Sequence, residues 1–315
     1  MRGEGFLWRS LRAVLLAVCL AVTAGAPATA APYAALVMDM RTGEVVHARS
    51  ADRRQHPASL TKMMTLYLAF EAIGNGQLRL DQKVRVSRHA ARQPASKLYL
   101  KAGQRVTIRH LIRAAAIKSA NDAAMVLAEA IAGSEKAFAR LMTQKARELG
   151  MSSTTFRNPH GLTRQGHLST ARDMARLARA LYFDFPQYYN VFGRRYAYAA
   201  GKRVYTTNRL LSSYRGAEGM KTGYTRAAGY NLLATAKRGE RRVLAVVMGG
   251  KSSRWRNRRV AKLLDMGFDR VPRYAREVAP ARGTVRVASA PLPAPRPGTR
   301  ATGFAAIGEA LSSEA

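Results

Sequence analysis

The stretch Ser59-Leu60-Thr61-Lys62-Met63-Met64-Thr65-Leu66-Tyr67-Leu68-Ala69-Phe70 constrains this chain most, because its apolar residues go round every side of a helix instead of forming one stripe. A helix of that kind has to be buried on all faces. An ammonium in such surroundings costs several kcal/mol or gives up its proton, so Lys62 requires a reason. Ser59 stands three residues earlier, on the same helical face and within reach of the amine. The pair is a candidate nucleophile with its base.

The chain has 315 residues and an ordinary apolar share, enough for one large domain with a substantial core. Residues 1–30 are set apart as a secretory signal peptide. Arg2, Arg9 and Arg12 precede an apolar run from Ala13 to Ala26, and Ala28-Thr29-Ala30 offers a cleavage site. That run is shorter than the ~20 residues of a bilayer span. Cys19 follows Val18 rather than the small residue of a lipid-anchor signal, so no lipid anchor is read. No other cysteine occurs, which excludes disulfides, a thiol nucleophile and thiolate metal sites from residues 31–315.

The formal net charge is +34, and removing residues 1–30 leaves it near +32, spread along the chain. For an exported protein of the periplasm or cell envelope, this favours anionic envelope partners: wall polymers, acidic stem peptides, or peripheral contact with lipid headgroups. No RNA-binding signature, zinc finger or aromatic-interleaved basic ribbon appears, so nucleic acid is not an expected partner. The six histidines are scattered, without a helical His-x-x-x-His pair, so neither metal nor cofactor is expected.

In chain order, runs 34–39 and 44–48 around the turn Met40-Arg41-Thr42-Gly43 predict a hairpin. Pro57 leads into the buried helix, which stops at Gly74-Asn75-Gly76. A short strand near 84–87 and a helical run 107–117 follow. Helices are predicted over 121–132 and 134–149, the second capped by Ser134. Residues 157–168 read as a loop, and Ser169-Thr170 caps a helix to about Tyr182 with Asp173 in its first turn. A strand near 204–208 precedes a glycine-rich loop, 216–223. Runs 230–236 and 242–248 are the clearest strands, and a helix over 253–267 covers their sheet. The Pro/Ala/Arg-rich stretch 272–315 reads as a disordered tail, with a weak amphipathic turn or two at 303–311.

Three short patterns stand in order: Ser59-x-x-Lys62, Ser119-x-Asn121 and Lys221-Thr222-Gly223. Each is weak alone, since such triplets are commonly a helix face, a cap or a turn. Their order, on a buried helix, an interhelix loop and the start of a strand, makes them specific. The chain resembles the serine D-alanyl-D-alanine carboxypeptidases, the low-molecular-mass penicillin-binding proteins, over about residues 31–270. The Ser-Ala-Asn form of the middle box, Arg157-Asn158-Pro159-His160-Gly161-Leu162, and Ser169-Thr170-Ala171-Arg172-Asp173 support that branch.

The resemblance implies a β-lactamase/transpeptidase-like α/β fold, an antiparallel sheet flanked by helices, as a single catalytic domain over 31–271. It implies removal of the terminal D-alanine from peptidoglycan stem pentapeptides through an acyl-enzyme on Ser59. Lys62 takes the proton, Ser119 relays one to the leaving amine, and Asn121 holds Lys62 and the substrate amide. Lys221 and Thr222 bind the terminal carboxylate, and Gly223 lets the substrate lie along the strand. The N–H of Tyr224 donates to the oxyanion together with that of Ser59. β-Lactams are the implied covalent inhibitors. No Asp or Glu occurs between Glu148 and Asp173 to activate a deacylating water, so penicillin is expected to acylate Ser59 and stay. His160, in that loop, reads as an anchor rather than a substitute base. Two rival readings use the same residues: a D,D-endopeptidase of crosslinks, and a penicillin-binding wall protein without turnover.

Overall fold

The apolar runs around Leu232 and Val246 become the centre of a five-stranded sheet in a computed structural model that describes residues 33–281. The predicted signal peptide (1–30) with Cys19, and, from the predicted tail, residues 282–315 with the expected turns at 303–311, lie outside the described residues. In chain order the principal elements are β1 (Ala34–Asp39), β2 (Val45–Arg49) and α1 (Lys62–Gly74), the last preceded by a 3₁₀ turn over Ala58–Thr61. Next come β3 (Lys83–Arg85), β4 (Arg105–Thr107) and α2 (Ile108–Arg113), then α3 (Asn121–Ala132), α4 (Glu135–Glu148) and α5 (Ala171–Asp184). The chain continues through β5 (Tyr196–Ala199), β6 (Lys202–Tyr205), β7 (Ala217–Thr225), β8 (Gly229–Arg238), β9 (Arg241–Gly250) and α6 (Ser253–Arg270).

The sheet order is β2-β1-β9-β8-β7 with every neighbour antiparallel. Successive side chains point to opposite faces, and here both faces are covered. Val37, Leu232, Ala234, Val243, Ala245 and Val247 pack against Val260, Leu263, Leu264 and Phe268 of α6. Gly267 allows that close approach, since a Cβ there would stand 2.4 Å from a Val243 methyl carbon. Leu36, Leu233, Leu244, Val246 and Met248 face the larger core around α1. Nine consecutive residues, Lys62 to Phe70, are buried in α1, and each large apolar side chain removed from water contributes about 1.5–3 kcal/mol. The expected antiparallel sheet between helical layers is therefore present.

Four local expectations are corrected. The stretch 216–223, read as a loop, is mostly strand β7, with Lys221↔Leu233 and Thr222↔Leu232 in register with β8; its glycines hid the alternation. The helix over 107–117 ends at Arg113 and widens into a π-helical turn over Ala114–Lys118. The strand near 204–208 is the second arm of a hairpin, β5–β6, whose first arm was not anticipated. The tail does not begin at 272, because the next residues are held by the body. Arg41 donates to the carbonyls of Pro272 and Arg273 at 2.7 and 3.0 Å, and Arg179 to that of Val278 at 2.6 Å. Those bonds run from side chains to main chain, which composition does not reveal.

Candidate active site

Ser59 lies on the 3₁₀ turn and Lys62 opens α1, so the nucleophile and the amine share the start of one buried helix. Lys62 Nζ donates to Ser59 Oγ at 3.0 Å, Asn121 Oδ1 at 2.7 Å and the His160 carbonyl at 2.8 Å, which occupies all three positions of an ammonium. The side chain has no solvent exposure. Burial first, and the positive charge of Lys221 second, hold its pKa well below the ordinary lysine value, against a smaller pull from Asp122.

A second lysine and serine face the first pair. Lys221 Nζ donates to Ser119 Oγ at 2.8 Å and to the Thr222 carbonyl at 3.3 Å. Burial, followed by the nearby Arg256, lowers its pKa to about 7. Ser119 sits at φ +64° just after the π-helical turn, and Ala58 at φ +48° just before Ser59. Left-handed backbone at a non-glycine residue costs about 1–3 kcal/mol and concentrates at functional sites. Asn121 is fixed from both ends of its amide, since its Nδ2 donates to the Pro94 carbonyl at 2.8 Å.

Strand β7 lies at the sheet edge, so among the described residues one side of its main chain has no strand partner. Thr222 Oγ1 meets Thr207 Oγ1 at 2.6 Å. A Cβ on Gly223 would stand 2.9 Å from the Ser59 nitrogen, so only glycine lets β7 lie so close to the serine turn. The Tyr224 ring is exposed and rests on Tyr230, 4.3 Å between centroids. Ser59, Ser119, Asn121, Thr222, Gly223 and Tyr224 line one cleft of about 320 Å³, with Lys62 and Lys221 buried in its wall.

Sequence reasoning missed Arg256, Thr207 and the His160 carbonyl. Arg256 is buried in the first turn of α6 and lines the same cleft, bonded to the Asn231 carbonyl, Ser253 Oγ and Asn257 Oδ1, all neutral acceptors. Its guanidinium is lowered to about 10, mainly by burial. The crowd of Arg254, Arg256, Arg258 and Arg259 masked the one that points inward. Among the described residues no Asp or Glu lines the cleft. Asp122, near Lys62, spends its carboxylate on the N–H groups of Leu98, Leu100 and Ala123. Lys221 and Arg256 thus bring two basic groups to this cleft, an arrangement that can receive an anion.

His160 does anchor its loop: Nδ1 accepts from the Leu162 N–H at 3.2 Å. Its other ring nitrogen stands 3.9 Å from a carboxylate oxygen of Glu135 at the start of α4. Among the described residues, no cluster of three or more His, Cys, Asp or Glu has the arrangement of a metal site.

The sequence profile of the D-alanyl-D-alanine carboxypeptidases, peptidase family S11, matches residues 21–252. The chain belongs to this family. It is 39% identical over 259 residues to the D-alanyl-D-alanine carboxypeptidase DacF of Bacillus subtilis strain 168, covering 80% of this chain and 67% of that protein. With the D-alanyl-D-alanine carboxypeptidase DacC of Escherichia coli strain K12 it shares 40% identity over 240 residues, covering 74% of this chain and 60% of the relative. The chain thus spans between three fifths and two thirds of the length of these carboxypeptidases. Among solved structures, penicillin-binding protein D2 of Listeria monocytogenes in its cefotaxime-bound form superposes with a TM-score of 0.69 and 34% identity, over 75% of this chain and 96% of that one. That likeness carries the transpeptidase-like fold of the carboxypeptidase family onto this chain.

Proposed function

We propose that the protein is a serine-type D-Ala-D-Ala carboxypeptidase that acts on peptidoglycan stem pentapeptides. The observation that carries this reading is the fully buried Lys62 amine 3.0 Å from Ser59 Oγ, opposite a second buried lysine that holds Ser119. Burial makes Lys62 a base rather than a permanent cation. It takes the Ser59 proton as Oγ attacks the carbonyl of the penultimate D-alanine. The tetrahedral oxyanion is held by the N–H groups of Ser59 and Tyr224. Collapse breaks the peptide bond, and the departing D-alanine amine takes a proton through Ser119. Lys221, Thr222 and Arg256 receive its carboxylate, and the edge of β7 offers main-chain pairing to the extended peptide. Water then hydrolyses the ester and returns Ser59.

β-Lactams place a carboxylate beside a strained amide and so suit the same arrangement, and the Listeria relative has been solved in a cefotaxime-bound form. The basic body favours an anionic envelope setting reached through the signal peptide. No helix among the described residues is long and apolar enough to cross a membrane.

A fluorescent penicillin and a D-Ala-D-Ala pentapeptide test the reading together. The wild-type protein is expected to become labelled and to release D-alanine, and Ser59→Ala to do neither. Equal labelling and hydrolysis by Ser59→Ala would sink the assignment. Labelling of the wild type without D-alanine release would leave a penicillin-binding protein lacking turnover.

A further inference from the structure

The hairpin β5–β6 presents a face for which the chemistry above has no use. Its register pairs Tyr196 with Tyr205 and Tyr198 with Arg203. Ala197, Ala199 and Val204 are buried on its inner side, whereas Tyr196, Tyr198 and Tyr205 are 50, 60 and 58% exposed on the outer side. The Arg203 guanidinium lies 4.2 Å from the Tyr196 ring centroid and 5.3 Å from that of Tyr205, so it is held between two aromatic rings. Among the described residues no carboxylate pairs with it.

This face adjoins the cleft. Thr207, two residues past Tyr205, lines the cleft and meets Thr222. Lys202 Nζ donates to the Leu98 carbonyl at 3.0 Å, which ties the hairpin to the loop that brings Ala95 and Ser96 to the same cleft. That loop adds Tyr99, 65% exposed, with Lys97 and Lys202 beside its ring.

We propose that the outer face of β5–β6 is an accessory subsite for the polymeric part of the substrate, a glycan strand bearing acidic peptides. Three flat phenol rings offer stacking surfaces to pyranose rings and hydroxyls to their oxygens. Arg203, fixed between two of them, presents a planar fork to a carboxylate on the attached peptide. Residues 185–217 contain no Asp or Glu but include Arg194, Arg195, Lys202, Arg203, Arg209 and Arg215, so the partner is anionic. The exposed large side chains of the face are tyrosines, without the Leu, Ile, Phe or Trp that a bilayer-inserting surface carries. This rests on the carboxypeptidase reading for the identity of the polymer, and on the hairpin geometry for the site.

The test uses Y196S/Y205S and Arg203→Gln, checked for unchanged thermal unfolding. Co-sedimentation with purified peptidoglycan sacculi is measured in the Ser59→Ala background, and kcat/KM is measured on a disaccharide-linked pentapeptide and on the same pentapeptide without sugars. Sacculus affinity is expected to fall about fivefold or more, and kcat/KM on the disaccharide substrate to fall similarly through KM. For Y196S/Y205S, whose missing rings would stack on sugars, the bare pentapeptide is expected to stay within about twofold. Equal losses on both substrates in that variant would make the hairpin a mere support for the segment carrying Ser119 and overturn the proposal. Unchanged sacculus binding would overturn it too, as would lost binding to phosphatidylglycerol vesicles with sacculus binding kept. If the wild type hydrolyses neither peptide, the carboxypeptidase reading fails by itself, and the Ser59→Ala sedimentation still decides on the hairpin.

Discussion

In the proposed mechanism Lys221 has to be protonated to hold a carboxylate, yet burial and Arg256 lower its pKa to about 7. Below that value the ammonium is present; above it the clamp loses charge. For a carboxylate-ended peptide, kcat/KM, which reports the free enzyme, is therefore expected to decline above about pH 7. An amide-ended analogue should show no such decline, and matching alkaline limbs would refute the role of Lys221. Arg256→Gln removes a guanidinium from the clamp and a repulsive charge from Lys221. Its kcat/KM near pH 7 is expected to fall roughly 10- to 100-fold, the scale of losing about 1.5–3 kcal/mol of charge-assisted hydrogen bonding. The remaining alkaline limb should move to higher pH. A pH series of initial rates on both proteins reads the two effects separately. At this scale Ser59 and Lys62 stood out by their spacing on an apolar helix, and Ser119 and Lys221 only through the order of the three short patterns; the structure brings the four side chains together. Arg256 did not stand out, because its neighbours are also arginines and only burial separates it from them.

The loop 157–168 shows how an element can serve the site through its backbone. The Lys62 amine is held by the main-chain carbonyl of His160, and Thr65 Oγ1 donates to that of Pro159 at 2.6 Å. His167 Nε2 bonds Thr61 Oγ1 at 2.8 Å, and burial first lowers the pKa of that ring to about 3, so it stays neutral at physiological pH. Gly161 makes the approach possible: it has φ +89°, and a Cβ there would stand 1.8 Å from the Ala58 carbonyl oxygen. Gly161→Ala is expected to push the loop off the serine turn, costing about 2 kcal/mol or more of stability. Penicillin acylation should slow by at least tenfold at temperatures where the variant remains folded. Thermal unfolding and acylation kinetics on the same sample check this, and an unshifted acylation rate would contradict it. Such main-chain roles leave no trace in residue type. The loop itself was readable from its Asn, Pro and Gly, but not the atom it delivers. Strand β7 was obscured for a related reason: glycines at 216, 219 and 223 serve close approach to neighbouring backbone and side chains, and they remove the alternation by which a strand is recognised.

For the molecule as a whole, the sheet and its helical layers were readable because β8 and β9 are apolar on both faces and α1 on every side. What lay beyond reading was how the chain leaves α6. Arg41 donates to both oxygens of Asp39 at 3.0 and 2.7 Å, and its remaining N–H groups reach the carbonyls of Glu240, Pro272 and Arg273. The Val278 N–H donates to the Arg41 carbonyl at 2.9 Å, and Arg179 joins Met40, Arg41 and Val278 through their carbonyls. Gly43 leaves room for that guanidinium, since a Cβ there would stand 2.4 Å from it. The first hairpin, α5 and residues 272–278 are thereby joined by two buried arginines. Ending the chain after Val271 strips both of carbonyl partners, a loss of about 2–3 kcal/mol once water replaces part of the bonding. For a domain of this size that corresponds to a drop of roughly 5–10 °C in Tm relative to a chain ending after Ala281. No residue of 272–278 lines the catalytic cleft, so the penicillin acylation rate at 25 °C is expected to be the same for both chains. Equal Tm values would mean that the arginines find equivalent partners in water, and a slowed acylation would mean that the latch supports the cleft as well as the fold.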